Sequence, residues 1–217
     1  MAEQTADTHS PTAFLIVGPA RCGKSSVAGA LRQRLAAAHI PLDSLMAGLR
    51  VTKWQPRLGE HIGNTMGRDE WLAALRSRDA AFWEFVQPVI EDAVLQQSEN
   101  VVIDGTIWPD QIVQLQCQYR AVCIVDTGDH SARLIRSRDS ADTRNNWHLE
   151  RGWSDQDLRE WAALNAYRSE VYKEMGAERG LPVVDLADFK QMGHGLAVAH
   201  DIVLGKSELT PHVLVHR

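Results

Sequence analysis

The residues Gly18-Pro19-Ala20-Arg21-Cys22-Gly23-Lys24-Ser25 fill every fixed position of G-x-x-x-x-G-K-[ST], a spacing that lets a loop hold phosphate. Phosphate oxygens are bound there by converging backbone N–H groups, and glycine supplies the dihedrals and the close approach this needs. A helix opening at the end of the loop adds the positive pole of its dipole. The ammonium of Lys24 is then expected at the β- and γ-phosphates and the hydroxyl of Ser25 on Mg2+. Ala20, Arg21, Cys22 and Ser26 complete the expected nucleotide contacts of the loop and first helical turn. Such a loop holds a nucleoside triphosphate without deciding what is done with it, so the chemistry must be sought in other residues.

A phosphate loop requires a buried strand before it and a helix after it. Residues 13–17 (AFLIV) form an apolar run that reads as the strand, and residues 24–39, rich in Ala, Leu and Arg, read as the helix. Apolar runs at 101–104 and 121–126 end in Asp104 and Asp126, and 182–185 gives a further strand. Residues 40–43 (IPLD) read as a short second strand, with Pro41 placing it at an edge or at its own start. Between 69 and 97, Trp71, Leu72, Leu75, Phe82, Val86, Ile90 and Val94 recur at helical spacing, and Pro88 is expected to kink or split that helix. Ser154 reads as the N-cap of a helix that continues to about Met175 and stops before Gly176, and a last helix precedes Gly205. Short apolar runs alternating with longer helices make the pattern of βα units around a parallel sheet.

The chain resembles the small P-loop kinases, the group that holds nucleoside monophosphate kinases, shikimate and gluconate kinases and chloramphenicol phosphotransferase. The resemblance runs from about residue 14 to residue 204. It is carried by GPARCGKS at 18–25, VVIDGT at 101–106, LDSL at 42–45 and RLIRSRD at 133–139. It implies an α/β three-layer P-loop fold with a five-stranded parallel sheet in the order 2-3-1-4-5, a helical lid, and ATP with Mg2+ as cofactors. The site is expected at the carboxyl ends of the strands, where open α/β sheets bind their ligands. Asp104 is implied as support for magnesium or as a substrate contact, the alternative being a cap on the turn that follows it. Asp43 is implied as the base that faces an acceptor hydroxyl; it serves equally as the N-cap of a helix beginning near Ser44. Arg133, Arg136 and Arg138 are implied as lid cations that clamp the transferring group, with Arg144 or Arg151 as further candidates. Three arginines on one helix are more usually a solvated face. Arg133 is expected to stack on the adenine, with Asp188 or Phe189 on the opposite side.

One departure from the family pattern bears on the acceptor. Monophosphate kinases usually follow Asp-Gly with an aromatic residue, Pro and Arg, whereas Asp104-Gly105 is followed here by Thr106-Ile107-Trp108-Pro109-Asp110. The arginine that would grip an acceptor phosphate is missing. The expected function is therefore an ATP-dependent phosphotransferase acting on a small-molecule acceptor. The alternatives are a nucleoside monophosphate kinase of the adenylate type and, from another class, a non-catalytic or slowly hydrolysing nucleotide-binding regulator. Residues 50–68 lack a clean period, and long connections in compact domains are often binding elements. Arg50, Lys53 and Arg68 are candidates to pair with an anionic acceptor, or else belong to an ordinary charged surface. Trp108, just past the Asp-Gly turn, is a candidate to stack on an acceptor ring, while Trp71, Trp83 and Trp161 read as core.

The 217 residues are enough for one compact domain with a sizeable core. That domain is expected over 13–205, with an acceptor segment at about 44–70 and a lid at about 133–153; residues 1–12 read as a disordered lead-in and 206–217 as a tail. A net charge of −5 and a pI near 6.0 argue against a general nucleic-acid surface or a polybasic membrane anchor. No apolar run approaches the roughly 20 residues of a membrane span. Cys22, Cys117 and Cys123 form no CxxC pair and no metal-ligand spacing, which fits a reducing cytoplasm. The nine histidines show no transition-metal spacing either. A monomer or homodimer acting on a small molecule is expected. Arg supplies 18 of the 23 basic residues and Trp 7 of the 14 aromatic ones, an excess concentrated in the proposed acceptor and lid segments.

Overall fold

The computed structural model describes residues 11–50, 67–139 and 152–206. Its five strands are β1 (Ala13–Val17), β2 (Ala38–Pro41), β3 (Val101–Gly105), β4 (Tyr119–Val125) and β5 (Val183–Asp185). They form one sheet in the order β2-β3-β1-β4-β5, parallel at every pairing, as expected. The helices are α1 (Lys24–Leu35), α2 (Leu42–Arg50), α3 (Arg68–Leu95), α4 (Pro109–Ile112), α5 (Ser131–Asp139), α6 (Asp155–Glu178) and α7 (Met192–Val203). None of the described helices is long and apolar enough to cross a membrane.

Helices cover both faces of the sheet, so the central strands are apolar throughout instead of alternating. Leu15, Val101, Ile103 and Cys123 pack against Phe82, Val86 and Ile90 of α3. The residues between them in the strands, Phe14, Ile16, Val102, Val122 and Ile124, pack on the other face against Val27 and Leu31 of α1 and Ala199 and Val203 of α7. The β1 run AFLIV is buried at all five positions. β2 lies at the sheet edge, where Pro41 is tolerated because no further strand needs its missing N–H.

Several boundaries differ from expectation, each for a local reason. α1 ends at Leu35 instead of 39 because Ala36 takes a left-handed backbone, φ 48°, that turns the chain into β2. β2 therefore occupies Ala38–Pro41, and Leu42 and Asp43 open α2. α3 runs unbroken through Pro88; Pro88 and Glu84, whose carbonyl loses its helical partner, both lie on the exposed side, where water can take the freed acceptor. α6 passes through Gly176 and ends at Glu178. A Cβ at 176 would stand 2.6 Å from Val183 Cγ2, so this glycine lets the helix press on β5 and does not stop it. Ser154 caps α6 as expected: its Oγ accepts from Asp157 N at 3.2 Å, and its own N–H donates to Asp157 Oδ2 at 2.8 Å.

Candidate active site

β1 delivers the phosphate loop and α1 receives it, with Gly23 as N-cap. Gly18 has φ 143°, and a Cβ there would lie 2.0 Å from the carbonyl oxygen of Ile124 in β4. Only glycine fits between the loop and β4. Gly23 has φ 76°, a left-handed backbone that favours glycine, and a Cβ there would press on the side-chain ends of Met192 and Leu196 of α7. Arg21 also takes a left-handed backbone, φ 67°, unusual for a residue with a Cβ. From behind the loop, Asn165 of α6 donates its amide to the Ala20 carbonyl at 2.9 Å.

Lys24 is buried and donates Nζ to the Pro19 carbonyl at 2.5 Å, within its own loop. Burial lowers its pKa, and the negative charges of Asp43 and Asp104 act in the opposite direction. Ser25 Oγ donates to Asp104 Oδ2 at 2.6 Å, and His39 Nε2 meets Asp104 Oδ1 at 2.7 Å. Asp104, at 5% exposure, thus stands next to the end of β3 with both carboxylate oxygens bonded. Cys22 is enclosed in the loop, and burial pushes its thiol up to about 11; it stays protonated at neutral pH and is no nucleophile.

A cavity of about 570 Å³ opens over the loop, lined among others by Arg21, Lys24, Ser25, Asp43, Asp104 and Arg133. Asp43 sits exposed in the first turn of α2, inside the helix and not at its N-cap. Arg133 of α5 donates Nη2 to Asp126 Oδ2 at 2.6 Å and reaches the Arg21 carbonyl at 3.5 Å. Arg21 in turn donates to Ser137 Oγ at 3.1 Å, and burial with the neighbouring Arg133 lowers its pKa. The loop, α2, β3 and α5 therefore bring Lys24, Ser25, Asp43, Asp104 and Arg133 to one space.

Other expected residues stand elsewhere. Arg136 is exposed and does not line the cavity. Arg138 donates to Asp139 Oδ1, Asp155 Oδ1 and the Trp153 carbonyl at 2.7–3.2 Å, tying α5 to the start of α6. Asp188 is exposed on a 3-10 turn (Leu186–Asp188) and is not among the cavity residues; α7 contributes Met192 there. Arg68 lies over the Tyr167 ring at 4.7 Å. Trp108 is a correction: at 1% exposure its indole is a core side chain. Its Nε1 donates to Asp79 at 3.0 Å, Tyr172 stacks at 4.3 Å, and the guanidinium groups of Arg76 and Arg168 lie over it at 4.9 and 5.1 Å. No ring face is left for a ligand. Lys53, Arg144 and Arg151 lie outside the described residues, as does the side chain of Arg50.

His39, Asp126, Ser137 and Asn165 were not singled out by sequence. Asp126 had a signal, since it ends an apolar run as Asp104 does; the others matter only through contacts made by the fold. The donors near the loop suit Mg2+: one hydroxyl and one carboxylate, both hard oxygen ligands of the kind that hold it beside phosphates and water. Among the described residues no cluster of three His, Cys, Asp or Glu offers a protein cage for a metal.

No protein-family model and no curated protein sequence matches the chain. Solved structures do. A shikimate kinase from Bacteroides thetaiotaomicron superposes with a TM-score of 0.51 at 14% identity, covering 89% of this chain and 98% of that one. A shikimate kinase from Acinetobacter baumannii, in complex with shikimate, gives 0.50 at 16% identity, covering 92% and 96%. At such identities the likeness speaks for the fold, and the chain has the fold of the P-loop small-molecule kinases.

Proposed function

We propose that the protein is an ATP- and Mg2+-dependent kinase that transfers the γ-phosphoryl group to a hydroxyl of a small molecule. The observation that carries this reading is the single cavity shared by the phosphate loop, the Ser25–Asp104 pair, Asp43 and Arg133. The loop's backbone amides hold the triphosphate, and Lys24 leaves its Pro19 carbonyl for the β- and γ-oxygens. Ser25 and Asp104 would hold magnesium, which when bound would draw charge from the phosphates. Asp43 takes the acceptor's proton as the acceptor oxygen attacks the γ-phosphorus, and the bond from that phosphorus to the bridging oxygen breaks to release ADP. Arg133 faces the charge that develops on the transferring oxygens. Residues 13–205 serve as one kinase domain, with acceptor contacts from the chain after Asp43.

Lys24→Ala tests the loop. Calorimetric titration of ATP is expected to show binding to the native protein and its loss in the variant; equal affinity in both overturns the assignment.

A further inference from the structure

Asp104 carries two hydrogen bonds, and only one comes from the phosphate loop. Ser25 donates to Oδ2, whereas Oδ1 is met by His39 from the edge strand β2. An ionised carboxylate only accepts, so His39 Nε2 carries the proton in this contact. The parallel register pairs Pro41 with Asp104 and His39 with Val102. Residues two apart in a strand share a face, which places His39 and Asp104 on the same side of the sheet, on a diagonal. The pair is partly withdrawn from water, with the His39 side chain 20% exposed and that of Asp104 6%.

We infer that His39 is a positioning residue for the magnesium-binding pair. This rests on the proposed role of Ser25 and Asp104. A hydroxyl that ligates a cation through its oxygen must point its proton elsewhere, and Asp104 Oδ2 is where the Ser25 proton goes. The carboxylate torsion of an aspartate is broad and roughly two-fold, so one hydrogen bond alone leaves its plane loosely held. The second bond, from His39 to Oδ1, fixes that plane and keeps Oδ2 in reach of Ser25. His39 does not line the cavity; it acts through Asp104. Outer partners of this kind are typically worth about 10–100-fold in metal affinity.

The test is calorimetric binding of a non-hydrolysable ATP analogue over a magnesium series, using the native protein, His39→Leu and His39→Gln. His39→Leu is expected to keep the magnesium-free affinity for the analogue and to need about 10–100-fold more magnesium for half of the enhancement. His39→Gln, whose amide N–H can replace Nε2–H, is expected to recover most of the loss. A native magnesium midpoint in His39→Leu overturns the inference. So does a parallel fall of magnesium-free affinity and melting temperature, which marks a structural role only. If the native protein binds the analogue with no magnesium enhancement, the magnesium role of Ser25 and Asp104 fails first and the inference with it.

Discussion

Asp43 and Lys24 line the same cavity, and single substitutions separate the different roles proposed for them. Asp43 is exposed in the first turn of α2 and holds up no neighbour among the described residues by a hydrogen bond or ion pair. Asp43→Asn is therefore expected to leave folding and ATP affinity near native while transfer falls by about 10²–10⁴-fold, the range for loss of a general base. Steady-state kinetics beside ATP titration read both quantities, and native turnover removes Asp43 as base. The loop between β1 and α1 was legible as a motif, because phosphate binding would demand fixed residue types at fixed spacing. His39 was not, because its pairing with Asp104 depends on the register of two strands more than sixty positions apart in sequence. Trp108 was misplaced for a related reason: a tryptophan after an Asp-Gly turn suits a ligand or a core equally, and only the approach of Asp79, Arg168 and Tyr172 decides.

At the scale of elements, α3, α4 and α6 meet around one buried carboxylate. Asp79, 2% exposed, accepts from Arg78, Trp108 and Arg168 at 2.7–3.1 Å, while Gln111 of α4 donates to its backbone carbonyl at 3.2 Å. Removing one partner of a buried charge network leaves the others uncompensated. Asp79→Ala is expected to cost about 3–5 kcal/mol in urea denaturation, and a loss below 1 kcal/mol contradicts the network's role. Strands β1, β3 and β4 were readable from apolar runs, since a sheet covered on both faces needs no alternation. Turns were harder. Ala36 leaves the helix without a glycine, Gly176 stays inside one, and α4 is four residues long with only Pro109 to announce it.

For the whole molecule, the described arginines divide between the cavity and structural contacts, and Trp71, Trp83 and Trp108 join the core. Arg133 and Arg21 face the cavity, but Arg78, Arg76 and Arg168 are spent on Asp79, Asp110 and Trp108. The protein's stability carries a further signature, because His130 lies 4% exposed between Asp126 and Asn165. Burial pushes its imidazole below the ordinary value of 6.5; Arg133 adds to this, and Asp126 and Asp129 oppose it. As pH falls below about 6.5 the unfolded chain takes this proton first, so stability declines until the folded imidazole also charges. Melting curves from pH 8 to 5 are expected to show this decline, and His130→Gln to flatten part of it; an unchanged slope contradicts the burial of a neutral His130.

The proposed activity is transfer of phosphate from ATP to a small molecule other than a nucleotide. Incubation with γ-labelled ATP and a panel of sugars, hydroxy acids and antibiotics beside AMP, CMP and UMP tests it most directly. The predicted result is magnesium-dependent labelling of a non-nucleotide acceptor that disappears in Lys24→Ala. Labelling confined to nucleoside monophosphates, or release of free phosphate with no acceptor labelled, contradicts it.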